Sequence, residues 1–327
     1  MSFVSAANAS VGDAEAGETM NNIRDSIAAS FRHLPPFRGK AHLGAAVGRC
    51  LIHADSIDCL TTIKMRDATV MRVDVRSRTE RKAYWTGEYD AKIIARLSTC
   101  LHEGATVFDI GANVGFYSMA LGNRLRPLHG KLYAFEPVPS NFERLVECVT
   151  LNNLEDVVFA HGTALGDEEG TISLQMENQN NASTGNAVMV KGKIPVENAQ
   201  AVTVSAPITT LDNFVQHHEI DQCDLIKIDV EGAEVMFLRG AVNFLSVHRP
   251  IIYGEFNPYY MAQFGHSFAD AVEIVARWDY RFFKQVGRAG FVEVKNPEAG
   301  MADMLLCPSE ISVSALEALG VDFSQNL

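Results

Sequence analysis

Residues 107–118 read VFDIGANVGFYS, and the architecture of the chain is decided there. An apolar run carries Asp109 near its end, a turn containing Gly111, Asn113 and Gly115 follows, and a helical pattern starts at Phe116. Strand, glycine turn and helix in that order open a Rossmann-type unit: the glycines let the backbone pass close to a ligand, and Asn113 suits a tight turn while offering its amide. The next apolar run, KLYAFE (131–136), closes on Glu136, 21 residues beyond Gly115, where an acidic side chain accepts the hydroxyls of a ribose.

The turn departs from the G-x-G-x-x-G that cradles a pyrophosphate, because Asn113 replaces the middle glycine and an acid, Asp109, starts it. A carboxylate there repels phosphate but suits an ammonium or sulfonium cation. The pattern therefore favours S-adenosylmethionine over NAD.

Outward from this stretch, strands and helices alternate. Helix SNFERLVECVTLNN (140–153), strand DVVFAHG (156–162), helix TTLDNFVQHHE (209–219), strand CDLIKID (223–229), helix AEVMFLRGAVNFLSV (233–247) and strand PIIYGEF (250–256) follow in turn. Helix FADAVEIVARW (268–278) and strands YRFFKQV (280–286) and ADMLLC (302–307) complete the rhythm. Apolar strands between helices imply an α/β fold, a doubly wound, mostly parallel sheet with ligands outside the carboxyl ends of its strands. This domain is expected over residues 91–327. Before it lie a flexible tail (1–25) and an accessory segment (26–90) with a helix, IRDSIAASFRHL, and a β-hairpin that includes ATVMRVDVRS (68–77). The polar stretch 177–200 interrupts the rhythm, either as a surface insertion whose arms TISLQM and VTVSA form a hairpin, or as a lid over substrate.

The stretch KIDVEGAE alternates Lys227, Asp229 and Glu231 with apolar residues, and Glu255 lies near the end of IIYGEF. Four strand ends thus carry Asp109, Glu136, Asp229 and Glu255, a costly gathering of carboxylates unless a cation or hydrogen-bond donor meets them. The bland reading of these acids is local: Asp109 and Asp229 as helix caps, Glu231 and Glu234 as favourable charges at a helix N-terminus. As a base for deprotonating an acceptor, Asp229 comes first, followed by Glu231, Glu255 and His161, with Lys227 holding an acceptor oxygen or tuning a neighbouring acid. His161 and His266 are cleft candidates or satisfied polar groups, while His217 and His218 end a helix. No Cys or His pair has zinc-ligand spacing, and Asp229 with Glu255 leaves only an oxygen-ligated divalent ion open.

Composition narrows the partners. Twenty-eight Lys plus Arg against 40 Asp plus Glu give a net charge of -12, which disfavours nucleic acid. Arg66, Arg72, Arg76, Arg78, Arg81 and Lys82 form a basic stretch, with Arg72, Arg76 and Arg78 on one strand face, read as a solvated edge or an anion contact. Six scattered cysteines without C-x-x-C, an N-terminus without a signal-peptide pattern and no run of 18 apolar residues suggest a cytoplasmic protein that does not engage a membrane.

VFDIGANVGFYS, YAFEPVPSNFERL (133–145), LNN (151–153), TALGDEEGTISL (163–174), TLDNF (210–214) and LIKIDVEGAEVMFLRGA (225–241) together resemble the FkbM family of S-adenosylmethionine-dependent methyltransferases over roughly residues 100–260. The resemblance implies a class I methyltransferase fold with a seven-stranded sheet whose last strand is antiparallel. It also implies methyl transfer to a hydroxyl of a sugar or polyketide-type natural product, so a small-molecule or glycan acceptor. By position, Asp109, Gly111, Asn113 and Gly115 would line the methionine part of the cofactor, Glu136 the ribose, and Thr163 and Ala164 the adenine. Asp229, Glu231 and Glu234 match the family's acidic stretch at the transfer site. An NAD-dependent oxidoreductase and a non-catalytic ligand-binding protein are the competing readings.

Overall fold

In the computed structural model, residues 21–35, 37, 39–51, 59–176, 187–190, 202–295 and 302–324 are described. The chain divides into one unit of Met1–Tyr89 with Asn180–Gly185 and a second of Asp90–Gln179 with Asn186–Leu327.

The first unit contains helix α1 (21–33), α2 (Lys40–Leu51), an antiparallel pair β1 (Leu60–Lys64) and β2 (Val70–Asp74), and α3 (Arg78–Thr86). Residues 21–25, expected to end a tail, are helical instead. The reason lies in Asp25, whose carboxylate accepts from the Tyr84 hydroxyl at 2.6 Å and the Thr61 hydroxyl at 2.8 Å, tying the first helix to α3 and β1. The strand read as 68–77 stops at Asp74, so Arg78 does not share a face with Arg72 but opens α3 behind its N-cap Ser77. Arg76 turns back onto Asp74 at 2.6 Å.

In the second unit, α4 (Ala91–Leu97) leads to β3 (Thr106–Ile110), α5 (Phe116–Leu125), β4 (Lys131–Phe135), α6 (Pro139–Leu151) and β5 (Val158–His161). A small sheet follows, made of β6 (Ala164–Leu165), β7 (Gly170–Met176), β8 (Ala187–Val190) and β9 (Val202–Thr209). The chain returns through α7 (Leu211–His217), β10 (Leu225–Ile228), α8 (Glu234–Arg239), α9 (Val242–His248), β11 (Ile251–Phe256), α10 (Pro258–Gln263) and α11 (Phe268–Ala276). It ends with β12 (Tyr280–Val286), β13 (Gly290–Val294), β14 (Ala302–Pro308) and α12 (Val313–Leu319).

The large sheet runs β13-β12-β14-β11-β10-β3-β4-β5. From β11 to β5 all neighbours are parallel, and β14 is antiparallel to both β11 and β12. This is the class I methyltransferase, Rossmann-like order. It has eight strands rather than the seven expected, because YRFFKQV turns back at Gly287 and pairs antiparallel with β13 at the sheet edge. Phe108, Phe135, Ile226 and Ile252 on the strands pack with Phe237 and Leu245 in one buried cluster. The helix read across 233–247 is broken into α8 and α9 at Gly240, which packs so closely on the Gly166 carbonyl that a Cβ would lie 1.8 Å from its oxygen, and Asp212 caps α9 through the amides of Asn243 and Phe244.

In the small sheet, β7 pairs antiparallel with β9, β8 covers its outer edge and β6 joins β9 in parallel. Most of the stretch considered as a lid, 177–186 and 191–200, lies outside the described residues. Among the described residues, no helix is long and apolar enough to cross a membrane.

Candidate active site

The strand order reverses at β3. The chain leaves it for β4 and β5 on one side and returns as β10 on the other, which opens a crevice at the carboxyl ends of these two strands. Their register puts Asp109 opposite Lys227, and Lys227 opposite Tyr253 of β11. Two residues further, with the period of the pleat, come Gly111, Asp229 and Glu255, and Asp303 of β14 faces Glu255.

Asp109 is fully buried. Ser118 of α5 donates to its Oδ2 at 2.5 Å, and Lys227 Nζ lies 3.3 Å from Oδ1. The same ammonium donates to the Gly111 carbonyl at 2.8 Å, lies 5.5 Å from the centre of the Tyr117 ring and stands 4.0 Å from Asp229 Oδ2. Burial opposes the charge on Lys227, yet the charges of Asp109 and Asp229 prevail and raise its pKa above the usual lysine value. Lys227 is thus engaged by the loop carbonyl and by Asp109.

Gly111 has φ of +72°, and a Cβ there would sit 1.9 Å from the Asp229 carbonyl oxygen. The β3 turn and the strand end carrying Asp229 are thus in backbone contact, which only glycine permits. Asn113 uses its side-chain oxygen within the turn, accepting from the Val114 amide at 2.7 Å, and Gly115 precedes α5.

Glu136 is 5% exposed and joins two turns, accepting from the Asn113 amide at 2.8 Å through Oε2 and from the Val138 amide at 2.9 Å through Oε1. Burial pushes its pKa up to about 7, against the pull of those amides and of Lys227. The Asn141 side chain also hydrogen-bonds to it, and the carboxylate's roughly four acceptor sites leave room beyond these three donors.

Glu231 adopts the left-handed region with φ of +50° and is followed by Gly232 at +104°, where a Cβ would meet the Tyr260 carbonyl carbon at 2.5 Å. This tight passage sets Glu231 beside Asp229 and Glu255. Burial, then the charges of Asp229 and Glu255, raise its pKa to about 7. Glu255 is raised by burial and by Asp229. Asp229, Glu231 and Glu255 are thus brought together, with Lys227 as the positive charge acting on both glutamates.

Two further acids escaped the sequence reading. Asp303 is raised to about 6 by burial and by Glu255, Asp90 and Asp229, while Asp90, at the start of α4, accepts from the Tyr117 hydroxyl at 3.4 Å. The signal for Asp303 was present. Because β14 is antiparallel, its first residues lie where the parallel strands end, so an acid opening ADMLLC belongs to the crevice.

Other candidates are placed elsewhere. Glu234 takes the local role, its Oε1 accepting from the Gly232 amide at 3.1 Å ahead of its own helix. His161 stacks on Phe135 at 5.2 Å and meets Phe214 edge-on at 4.8 Å. Phe135 in turn stacks on Phe108, which precedes Asp109 and faces the other side of the sheet. His161 is therefore a packing residue rather than a cleft base, and burial, with His218 nearby, holds its pKa down to about 4. His218 joins the same aromatic layer and His217 packs against His218. His266 sits in the turn between α10 and α11, with its amide bonded to the Met261 carbonyl. Thr163 donates to the Pro207 carbonyl at 3.0 Å, and Ala164 is buried in the β6–β9 ladder. Among the described residues, no three His, Cys, Asp or Glu side chains are arranged to hold a metal ion.

Comparison with known proteins places this geometry. The family model described as a methyltransferase FkbM domain matches residues 109–282, more than half of the chain. The chain is 28% identical over 155 residues to methyltransferase sdnD of Sordaria araneosa, covering 41% of this chain and 59% of that protein. It is 26% identical over 159 residues to hexuronic acid methyltransferase AglP of Haloferax volcanii, covering 49% and 58%. The chain thus spans under three-fifths of the length of these curated relatives. Among solved structures, methyltransferase FkbM of Methylobacillus flagellatus matches with a TM-score of 0.41 and 16% identity, over 63% of this chain and 44% of that one. With the family match beginning at Asp109 itself and running through the β10 acids into β12, the chain belongs to the FkbM methyltransferase domain family.

Proposed function

We propose that the chain transfers a methyl group from S-adenosylmethionine to a hydroxyl of a sugar or polyketide-type acceptor. The observation that carries this reading is the convergence of Asp229, Glu231 and Glu255 beside a buried Asp109–Lys227 pair at the strand reversal. A crevice lined by carboxylates suits the sulfonium and ammonium of this cofactor and repels the pyrophosphate of NAD.

The residues present fit the group. Gly111 keeps the turn free of a Cβ at the closest backbone approach, Glu136 retains acceptor capacity for ribose hydroxyls, and Asn113 and Gly115 complete the methionine side, with the buried Asp109 acting through Lys227. When bound, S-adenosylmethionine supplies a methyl already activated on sulfur. The protein then has to align the acceptor, exclude water and take up the hydroxyl proton. Asp229, Glu231 and Glu255 face the acceptor, and the three carboxylates share the proton's destination, with Asp229 the first choice. The similarity to AglP, a hexuronic acid methyltransferase, is consistent with a glycan acceptor.

Titration calorimetry with S-adenosylmethionine and NAD tests the cofactor. Incubation with isotopically labelled donor and candidate glycosides, followed by mass spectrometry, tests transfer. Asp229→Asn is expected to retain cofactor affinity and lose about 100-fold in turnover; unaltered turnover removes Asp229 from that role. Cofactor binding without methylation of any acceptor favours the non-catalytic reading.

A further inference from the structure

Building on the methyl-transfer reading, we infer that the acceptor carries no negative charge, and that Asp90 and Asp303 are the residues that exclude anionic sugars from this site. Both lie outside residues 109–282, the part matched by the family model.

Three observations support this. Asp303 faces Glu255 across the β11–β14 ladder, and Asp90 and Asp229 both act on Asp303 electrostatically. Five carboxylates, Asp90, Asp229, Glu231, Glu255 and Asp303, therefore form one negative wall. Lys227, the cation beside it, is already engaged by Asp109 at 3.3 Å and by the Gly111 carbonyl at 2.8 Å, and is 5% exposed. It is not presented to an incoming carboxylate, and like charges brought into such a wall are strongly disfavoured.

The third observation concerns what an uncharged ring would meet. Helix α10 starts three residues beyond Glu255, and its N-cap Asn257 both donates to Glu255 Oε1 at 3.4 Å and accepts from the Tyr259 amide at 3.1 Å. The Glu231–Gly232 turn abuts the Tyr260 carbonyl of the same helix. The carboxylates accept hydrogen bonds from the hydroxyls of an uncharged ring, which a carboxylate on the ring would not donate. The class of acceptor is a neutral or amino glycoside, in contrast to the hexuronic acid for which AglP is named.

The test uses the full chain at pH 8.5, above the raised values of Glu231 and Asp303, with saturating S-adenosylmethionine and three matched probes, methyl glucoside, methyl glucosaminide and methyl glucuronide. Binding is followed by ligand-observed NMR and transfer by release of S-adenosylhomocysteine. The glucoside and glucosaminide are expected to surpass the glucuronide by at least about 30-fold. Asp303→Asn combined with Asp90→Asn narrows that gap to under about threefold, and raising the salt from low to high narrows it in the unmodified chain, so the result does not depend on the variant folding. A glucuronide used as well as the glucoside overturns the inference, as does a gap indifferent to both salt and substitution, or binding of none of the three probes by a chain that binds the cofactor. A chain that binds no S-adenosylmethionine overturns the underlying methyl-transfer reading instead.

Discussion

Lys227 Nζ stands 3.3 Å from Asp109 Oδ1 across the strand pair at which the chain order reverses. Both side chains are almost wholly withdrawn from water, so each depends on the other. Lys227→Met is expected to cost about 3 kcal/mol or more, because it strands a buried carboxylate, and adding Asp109→Asn should recover over half of the loss. Denaturant unfolding of the two single variants and the double variant measures this; strictly additive losses would show that the pair is not coupled.

Gly111→Ala places a Cβ 1.9 Å from the Asp229 carbonyl oxygen. Cofactor affinity should fall by at least about 100-fold, because the turn must withdraw from the β10 end to relieve the clash. Gly104 also has positive φ, but a Cβ there meets nothing within 4 Å, so Gly104→Ala should bind the cofactor normally. Calorimetry on both variants separates the close approach from general backbone strain.

Unliganded stability should fall as pH rises from 6 to 8. Glu136, Glu231 and Glu234 are pushed up to about 7 and Asp303 to about 6. Their favourable contribution is complete below the unfolded carboxyl pKa and disappears as pH passes through these folded values, since there the native state holds protons that the unfolded state has released. His161, held down to about 4, opposes this only below the usual histidine pKa, one group against four. Thermal unfolding should show a loss of a few degrees across that range, and a rising melting temperature would contradict the burial of these acids.

The pH dependence of kcat/KM should show an acid limb near 7 belonging to Glu231, whose pKa is raised first by burial and next by Asp229 and Glu255. Asp229→Asn or Glu255→Gln removes a like charge and should move the limb to lower pH. Glu231→Gln should abolish the limb. A limb unmoved by all three substitutions would assign it to another group.

His161→Phe should leave turnover within about twofold and stability unchanged or slightly improved, because the ring is a packing element whose buried Nε2 has no hydrogen-bond partner. Rate assays and thermal unfolding check this. A loss of turnover at unchanged stability would restore His161 as a candidate base.

Much of the site was readable before the structure. The VFDIGANVGFYS turn, Glu136 at the end of its strand and the KIDVEGAE acids could be found because strand periodicity and turn chemistry are local, acting over a few residues. The capping pair Ser77 and Glu80 was equally local and marked the start of α3, but the apolar alternation before it obscured the signal. His161 was misjudged for a different reason. It lies within the strand, as the last residue of β5, and which sheet face a ring joins depends on its neighbours, here Phe135 and Phe214.

The sequence by itself determined the order of elements and which residue types stand at the strand ends, since both follow from short-range pattern and backbone stereochemistry. Only the tertiary structure decided that Lys227 is committed to Asp109, that Glu136 clasps two turns, and that Asp90 and Asp303, 213 residues apart, act on one another. Charge and burial are properties of what lies nearby in space, and sheet pairing sets that proximity over separations that no local pattern spans.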